Sequence, residues 1–82
     1  MNSDDIKSII REIFLGNDRT VKIEDQLDLV AAGICDSFAL LELATAIEGR
    51  LEGIVIPDSD ITVANFGSVE RVLAYLKDHH SG

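Results

Sequence analysis

Gly33-Ile34-Cys35-Asp36-Ser37-Phe38 opens the most informative stretch of the chain, and Ala39-Leu40-Leu41-Glu42-Leu43-Ala44-Thr45-Ala46-Ile47-Glu48-Gly49-Arg50-Leu51 continues it. Asp36 is of the type that caps a helix by accepting a backbone N–H, so a helix is expected from about Asp36 to Leu51. Phe38, Leu40, Leu41, Leu43, Ala44, Ile47 and Leu51 are more apolar positions than one core-facing stripe needs. Some of them therefore face outward beside Glu42 and Glu48, and exposed apolar groups ringed by acids mark contact surfaces. Ser37 falls in the first turn, where its hydroxyl is exposed. The N–H groups and positive potential of a helix N-terminus suit a phosphodiester on that oxygen. Capping alone also accounts for an Asp-Ser pair, so the pair by itself decides nothing.

Upstream, Ile6, Ile9, Ile10, Ile13 and Phe14 recur at helical spacing and predict a first helix from Ser3 to about Leu15. Ser3 is its expected cap, Asp4 and Asp5 put negative charge in its first turn, and Gly16-Asn17 ends it. A mostly irregular stretch runs from Gly16 to about Cys35, with Leu27, Leu29, Val30 and Ile34 tucked beneath it and one helical turn near Glu24 to Val30. A loop of that length inside a compact domain is uncommon unless it is functional.

Downstream, Gly53 loosens the chain and Ile54-Val55-Ile56-Pro57 reads as extended, because proline biases its predecessor away from helix. Asp58 to Thr62 reads as a short helical turn started at Pro57, and Asn65-Phe66-Gly67 as a break with one apolar anchor. A last helix runs from a Ser68 cap to about Asp78 and buries Val69, Val72, Leu73 and Leu76, with Tyr75 half-covering the core. Lys77, His79 and His80 suit its negative C-terminal end, the two histidines as a solvated tail. The expected architecture is all-α: one domain over residues 1–82, a bundle of three main helices plus one short helix, with a long first loop.

Composition narrows the function classes. The formal net charge is −8, from 15 acidic and 7 basic residues, which argues against nucleic acid and against an anionic membrane. The acidity either steers a basic protein partner or only keeps a small protein soluble. No segment is long and apolar enough to span a bilayer, and Met1-Asn2-Ser3-Asp4-Asp5 is too polar for a secretory signal, so a cytoplasmic monomer is expected. The single cysteine, Cys35, forms no internal disulfide and suits a reducing compartment. It reads as a small packed hydrophobe, or as a thiol activated by the nearby helix N-terminus. One Cys and two C-terminal His do not make a metal site. Serine hydrolysis needs an oriented base, and the only histidines lie in the tail. Asp58-Ser59-Asp60 starts like a calcium loop, but Val63 and Val69 stand where the glycine and glutamate belong.

The order of these elements carries a resemblance. Gly-Ile-Cys-Asp-Ser-Phe opening an acidic amphipathic helix, then Ile56-Pro57-Asp58, a short helix and a final amphipathic helix together resemble the acyl carrier protein family over nearly the whole chain. The family's Asp-Ser-Leu or Asp-Ser-Met signature stands here as Asp36-Ser37-Phe38, and the long first loop is regular in that fold. The resemblance implies that Ser37 receives phosphopantetheine from coenzyme A, and that Asp36 assists the phosphopantetheinyl transferase. It places Phe38, Leu41, Glu42, Thr45 and Glu48 on the face that partner enzymes grip, and Leu43, Ile47 and Leu51 in the core. Phe38 is bulkier than the family's usual residue, and Thr45 replaces a commonly apolar one. Two residues separate Gly33 from Asp36 where fatty-acid synthase carriers have one. That spacing, with Asn65-Phe66, is more similar to D-alanyl and stand-alone peptidyl carriers.

Such a protein is not an enzyme. It holds an acyl or aminoacyl group as a thioester on its phosphopantetheine arm. It receives that group from an acyl- or aminoacyl-loading ligase and presents it to downstream enzymes of fatty-acid, polyketide or non-ribosomal-peptide-type biosynthesis. The residues alone also allow a different class, an unmodified acidic helical adaptor that binds protein partners through its second helix.

Overall fold

Asn2 starts the first helix, α1 (Ser3–Phe14), in the computed structural model, which describes residues 1–79; His80 lies outside the described residues. The Asn2 side chain accepts the Asp5 N–H and the Asp5 carboxylate accepts the Asn2 N–H, both at 2.9 Å, which satisfies two orphan donors reciprocally. Ser3, the expected cap, is the first helical residue instead. Its hydroxyl donates to Asp25 of the long loop at 2.7 Å, and the Lys7 ammonium joins the same carboxylate at 2.9 Å. These two bonds, Lys7's first, hold the Asp25 carboxyl below the usual range. Ile6, Ile9 and Ile10 are fully buried, each worth about 1.5–3 kcal/mol of transfer free energy.

The chain leaves α1 through two consecutive left-handed residues, Gly16 (φ +56°) and Asn17 (φ +65°), the two residue types that tolerate that conformation. The loop from Gly16 to Phe38 is ordered by its backbone. Leu29 donates its N–H to the Gly67 carbonyl at 2.8 Å, and its own carbonyl accepts the Ile34 and Cys35 N–H groups at 3.0 and 3.3 Å. Glu70 donates its N–H to the Asp25 carbonyl at 2.9 Å. Beneath these bonds Leu29 and Ile23 are buried, while Leu27, Val30 and Ile34 are half-buried. The helical turn expected near Glu24 to Val30 falls slightly later, where Ala32 donates to Asp28 and Gly33 to Val30.

The second helix, α2 (Ala39–Arg50), begins three residues after its expected start. The Asp36 carbonyl and carboxylate both accept the Ala39 N–H, so residues 36–39 form a tighter turn before the α-helical ladder takes over. Leu40, Leu43, Ala44 and Ile47 are buried; Leu51 is only half-buried. Pro57 then leads into a 3-10 turn, Asp58–Asp60. Thr62 does not extend that turn. It caps a further short helix, α3 (Val63–Phe66), its hydroxyl accepting the Asn65 N–H at 3.3 Å. The break expected at Asn65-Phe66-Gly67 therefore falls after Phe66, which is fully buried. A Cβ on Gly67 would stand 2.4 Å from the Val63 carbonyl oxygen, so only glycine fits this junction.

The final helix, α4 (Val69–His79), is capped as expected, with Ser68 Oγ accepting the Arg71 N–H at 3.2 Å. Val69, Val72 and Leu76 are buried and Leu73 half-buried. Tyr75 is buried rather than half-covering, at 5% exposure. Its ring packs 5.0 Å from Phe66, and its hydroxyl donates to Asp60 at 2.7 Å. His79 belongs to the helix and not to a loose tail. It stacks on Tyr75 at 4.0 Å, with Nδ1 2.9 Å from the Tyr75 carbonyl.

The result is an all-α bundle of three main helices and one short helix, with one core cluster and no strand among the described residues. The radius of gyration, 11.6 Å, matches the roughly 12 Å of a folded chain of this length. No helix among the described residues is long and apolar enough to cross a membrane.

Two predictions follow from this packing. Leu29→Ala removes a fully buried side chain at the loop's anchor and lowers stability by about 2–5 kcal/mol, measured by urea denaturation. Tyr75 is the chain's only tyrosine and there is no tryptophan, so phenolate absorbance reports it alone. Burial first, then the bond to Asp60, pushes its hydroxyl up to about 12. The unfolded chain, with an ordinary value of about 10, loses this proton first. Stability from this group is therefore complete below pH 10 and falls away between about pH 10 and 12. Phenolate appearing at pH 10 in a still-folded protein would contradict the burial.

Candidate functional site

The approach to α2 is built by three local devices. Gly33 takes a left-handed φ of +76°, which turns the chain back so that Ile34 and Cys35 bond to Leu29. Asp36 then caps the turn by accepting the Ala39 N–H at 2.8 Å. Ser37 and Phe38 are carried on that turn, ahead of the helix proper, and both are exposed. Ser37 Oγ has no hydrogen-bond partner among the described residues. The hydroxyl thus stands free beside the positive end of a twelve-residue helix dipole.

Ser37 lines an open groove of about 330 Å³ with Phe38, Leu41, Asp58 and Ile61. Asp58 and Ile61, far away in sequence, therefore supply one wall of the serine's surroundings. That wall is braced at both ends. The Ile56 N–H donates to Glu48 at 3.3 Å, and Asp60 is held by the Tyr75 hydroxyl through its carboxylate and by the Asn65 amide at 2.9 Å through its carbonyl. Among the described residues, no histidine or lysine lines the groove.

Phe38 and Leu41 also line a second open groove, of about 630 Å³, with Ile13, Ala39, Glu42, Thr45 and Ala46. Phe38 is 89% exposed and Leu41 51%, the outward apolar positions that the excess hydrophobicity of this helix requires. Of the residues expected on one partner face, Phe38, Leu41, Glu42 and Thr45 thus lie together. Glu48 does not line this groove; it is half-buried, with its carboxylate on the Ile56 N–H. Thr45 spends its hydroxyl within α2, donating to the Leu41 carbonyl at 2.9 Å, so its side chain adds chiefly its methyl to the groove. Ala39 and Ala46 were missed by sequence reasoning, although their spacing with Glu42 places all three on one helix face. Ile13 and Ile61 come from other elements, and no local pattern marks them.

Cys35 is half-buried beside this site. Burial, and then the negative charge of Asp36 and Asp28, pushes its thiol above the ordinary value. Its surroundings are those of a small side chain packed against the core. Compared with family models, with curated proteins and with solved structures, the chain gives no match.

The Cys35 environment predicts slow chemistry. At neutral pH the folded protein reacts with an aromatic disulfide reagent more slowly than the urea-unfolded chain, because less thiolate is present and access is restricted. A folded-state rate equal to or above the unfolded one would show that the thiol is activated after all.

Proposed function

We propose that the protein is a carrier of the acyl carrier type, with phosphopantetheine attached through a phosphodiester to Ser37. The observation that carries the reading is a free, exposed serine hydroxyl at the entrance of α2, directly after a capping aspartate. Three further features support it. The helix dipole stabilises negative charge at that point, which suits the phosphodiester formed when the serine oxygen displaces the coenzyme's nucleotide. The groove beside Ser37 opens to solvent, which leaves room for a transferase and a departing arm. The adjacent Phe38–Leu41 groove combines an apolar floor with Glu42 at its edge, a surface suited to reversible docking on a partner with a basic rim.

In this reading the chain performs no catalysis. Its residues hold the arm's attachment point on the capped turn that leads into α2, clear of competing side chains. The arm's terminal thiol carries the acyl or aminoacyl group as a thioester and raises its effective concentration at successive partner sites. The loading ligase and the downstream biosynthetic enzymes dock on the same acidic face, so docking weakens as salt is added. The exposure of Phe38 also favours a second reading, an unmodified adaptor that uses the same groove for protein contact alone.

Intact mass separates the two. Incubation with a broad-specificity phosphopantetheinyl transferase and coenzyme A adds the mass of one phosphopantetheine to the wild-type chain and none to Ser37→Ala. A folded wild-type chain that gains nothing overturns the carrier reading and leaves the adaptor.

A further inference from the structure

The protein carries seven basic residues against fifteen acidic ones, yet three of the seven line a single groove. Lys7 and Arg11 reach it from α1, and Arg19 comes from the loop that the left-handed Gly16-Asn17 pair folds back alongside that helix. Ser8 and Asn17 add a hydroxyl and an amide, and Asp4 stands at its edge. Most of the other cations are occupied elsewhere: Lys22 with Glu24, Arg50 with Glu12, and Arg71 with the Val63 carbonyl.

Outside the groove's lining, the acid next to Arg19 has partners of its own. Asp18, next to Arg19 in sequence, receives the Thr20 N–H at 2.9 Å and the Thr20 hydroxyl at 2.6 Å. Arg19 itself is exposed and has no partner among the described residues. Arg11 is held by one bond from Nη2 to the Val21 carbonyl at 3.3 Å, and its Nε is buried with no acceptor. An unsatisfied buried donor is a standing demand for an acceptor. Asp25 balances Lys7 from outside the groove, so the lining itself carries three cations and one carboxylate, Asp4 at its edge. The donors here are two guanidinium groups, an ammonium, a hydroxyl and an amide. They outnumber what the two oxygens of a carboxylate can use, and match the three or four oxygens of a phosphate group.

We propose that this groove binds a phosphate group, presented either as free phosphate or as a small phosphate monoester. Arg19 supplies the loop half of the clasp, while Arg11 and Ser8 form its floor on α1. The site shares no residue with the Ser37 groove and does not rest on the carrier reading. A nucleic acid is a poor occupant, because a chain of charge −8 repels a polyanion longer than the groove.

The test is an NMR titration of the unmodified 82-residue chain at fixed ionic strength, with inorganic phosphate in one arm and glycerol 3-phosphate in the other. Saturable shifts at the Ser8, Asn17 and Arg19 amides and at the Arg11 Nε–H are expected. Arg19→Gln, its fold checked by its own amide spectrum, weakens binding about tenfold by removing one charge-assisted contact. Lys77→Gln, outside the groove, leaves it unchanged. Tighter binding of glycerol 3-phosphate identifies a monoester as the occupant, and equal binding identifies the phosphate group alone. Non-saturating shifts in both arms, shifts spread equally over Lys22, Arg71 and Lys77, or undiminished binding by Arg19→Gln would overturn the proposal.

Discussion

Leu29 is the point on which the arrangement depends. Its side chain is sealed in the core, its N–H is bonded to Gly67 at the junction of α3 and α4, and its carbonyl takes the N–H groups of Ile34 and Cys35. One residue thus ties the middle of the long loop to the end of the bundle and to the chain entering α2. Without such ties a loop of this length would lack partners for its backbone groups, and burying its apolar side chains would leave those groups unsatisfied. Gly67 is the complementary constraint, because its carbonyl can receive Leu29 only while no side chain crowds the Val63 carbonyl beneath it.

The same ties explain how a serine on a surface turn comes to be held in place. Asp25 binds α1 through Ser3 and Lys7 and binds α4 through its own carbonyl, so the loop is stitched to both helices before it reaches Asp36. On the far side, Glu48, Asp60, Asn65 and Tyr75 brace the segment that faces Ser37. Under the proposed carrier reading such rigidity is useful, since an attached group's reach is then set by its own length and not by motion of its anchor. The acids used for this bracing are a share of the negative charge that composition alone would assign to partner contact.

α1 and α2 divide their labour by how their apolar residues are distributed. α1 concentrates its isoleucines on one buried face and leaves a polar face on which Lys7, Ser8 and Arg11 gather. α2 has apolar side chains on more than one face, buries four of them and exposes Leu41, while Phe38 stands exposed on the turn just before it. The molecule consequently offers two chemically opposite surfaces, an apolar groove edged by acid and a polar groove lined with cations.

The sequence by itself determined the three long helices and most of their buried faces, because helical periodicity and Asp, Ser and glycine boundary signals are local and act within one or two turns. It also determined that Phe38 and Leu41, or residues like them, had to remain outside, since α2 carries more apolar side chains than one core can take. Local signals failed where two candidates competed within a few residues. Asn2 caps α1 because Ser3 is drawn to Asp25, and Thr62 caps α3 because Tyr75 and Asn65 hold Asp60 in the preceding turn. Tertiary structure alone decided that Ile61 and Asp58 face Ser37, that Glu48 holds a backbone N–H, and that Arg19 joins Lys7 and Arg11. Each of these depends on where a loop returns to the bundle, and that path is set by long-range bonds such as Leu29 to Gly67, which no periodicity encodes.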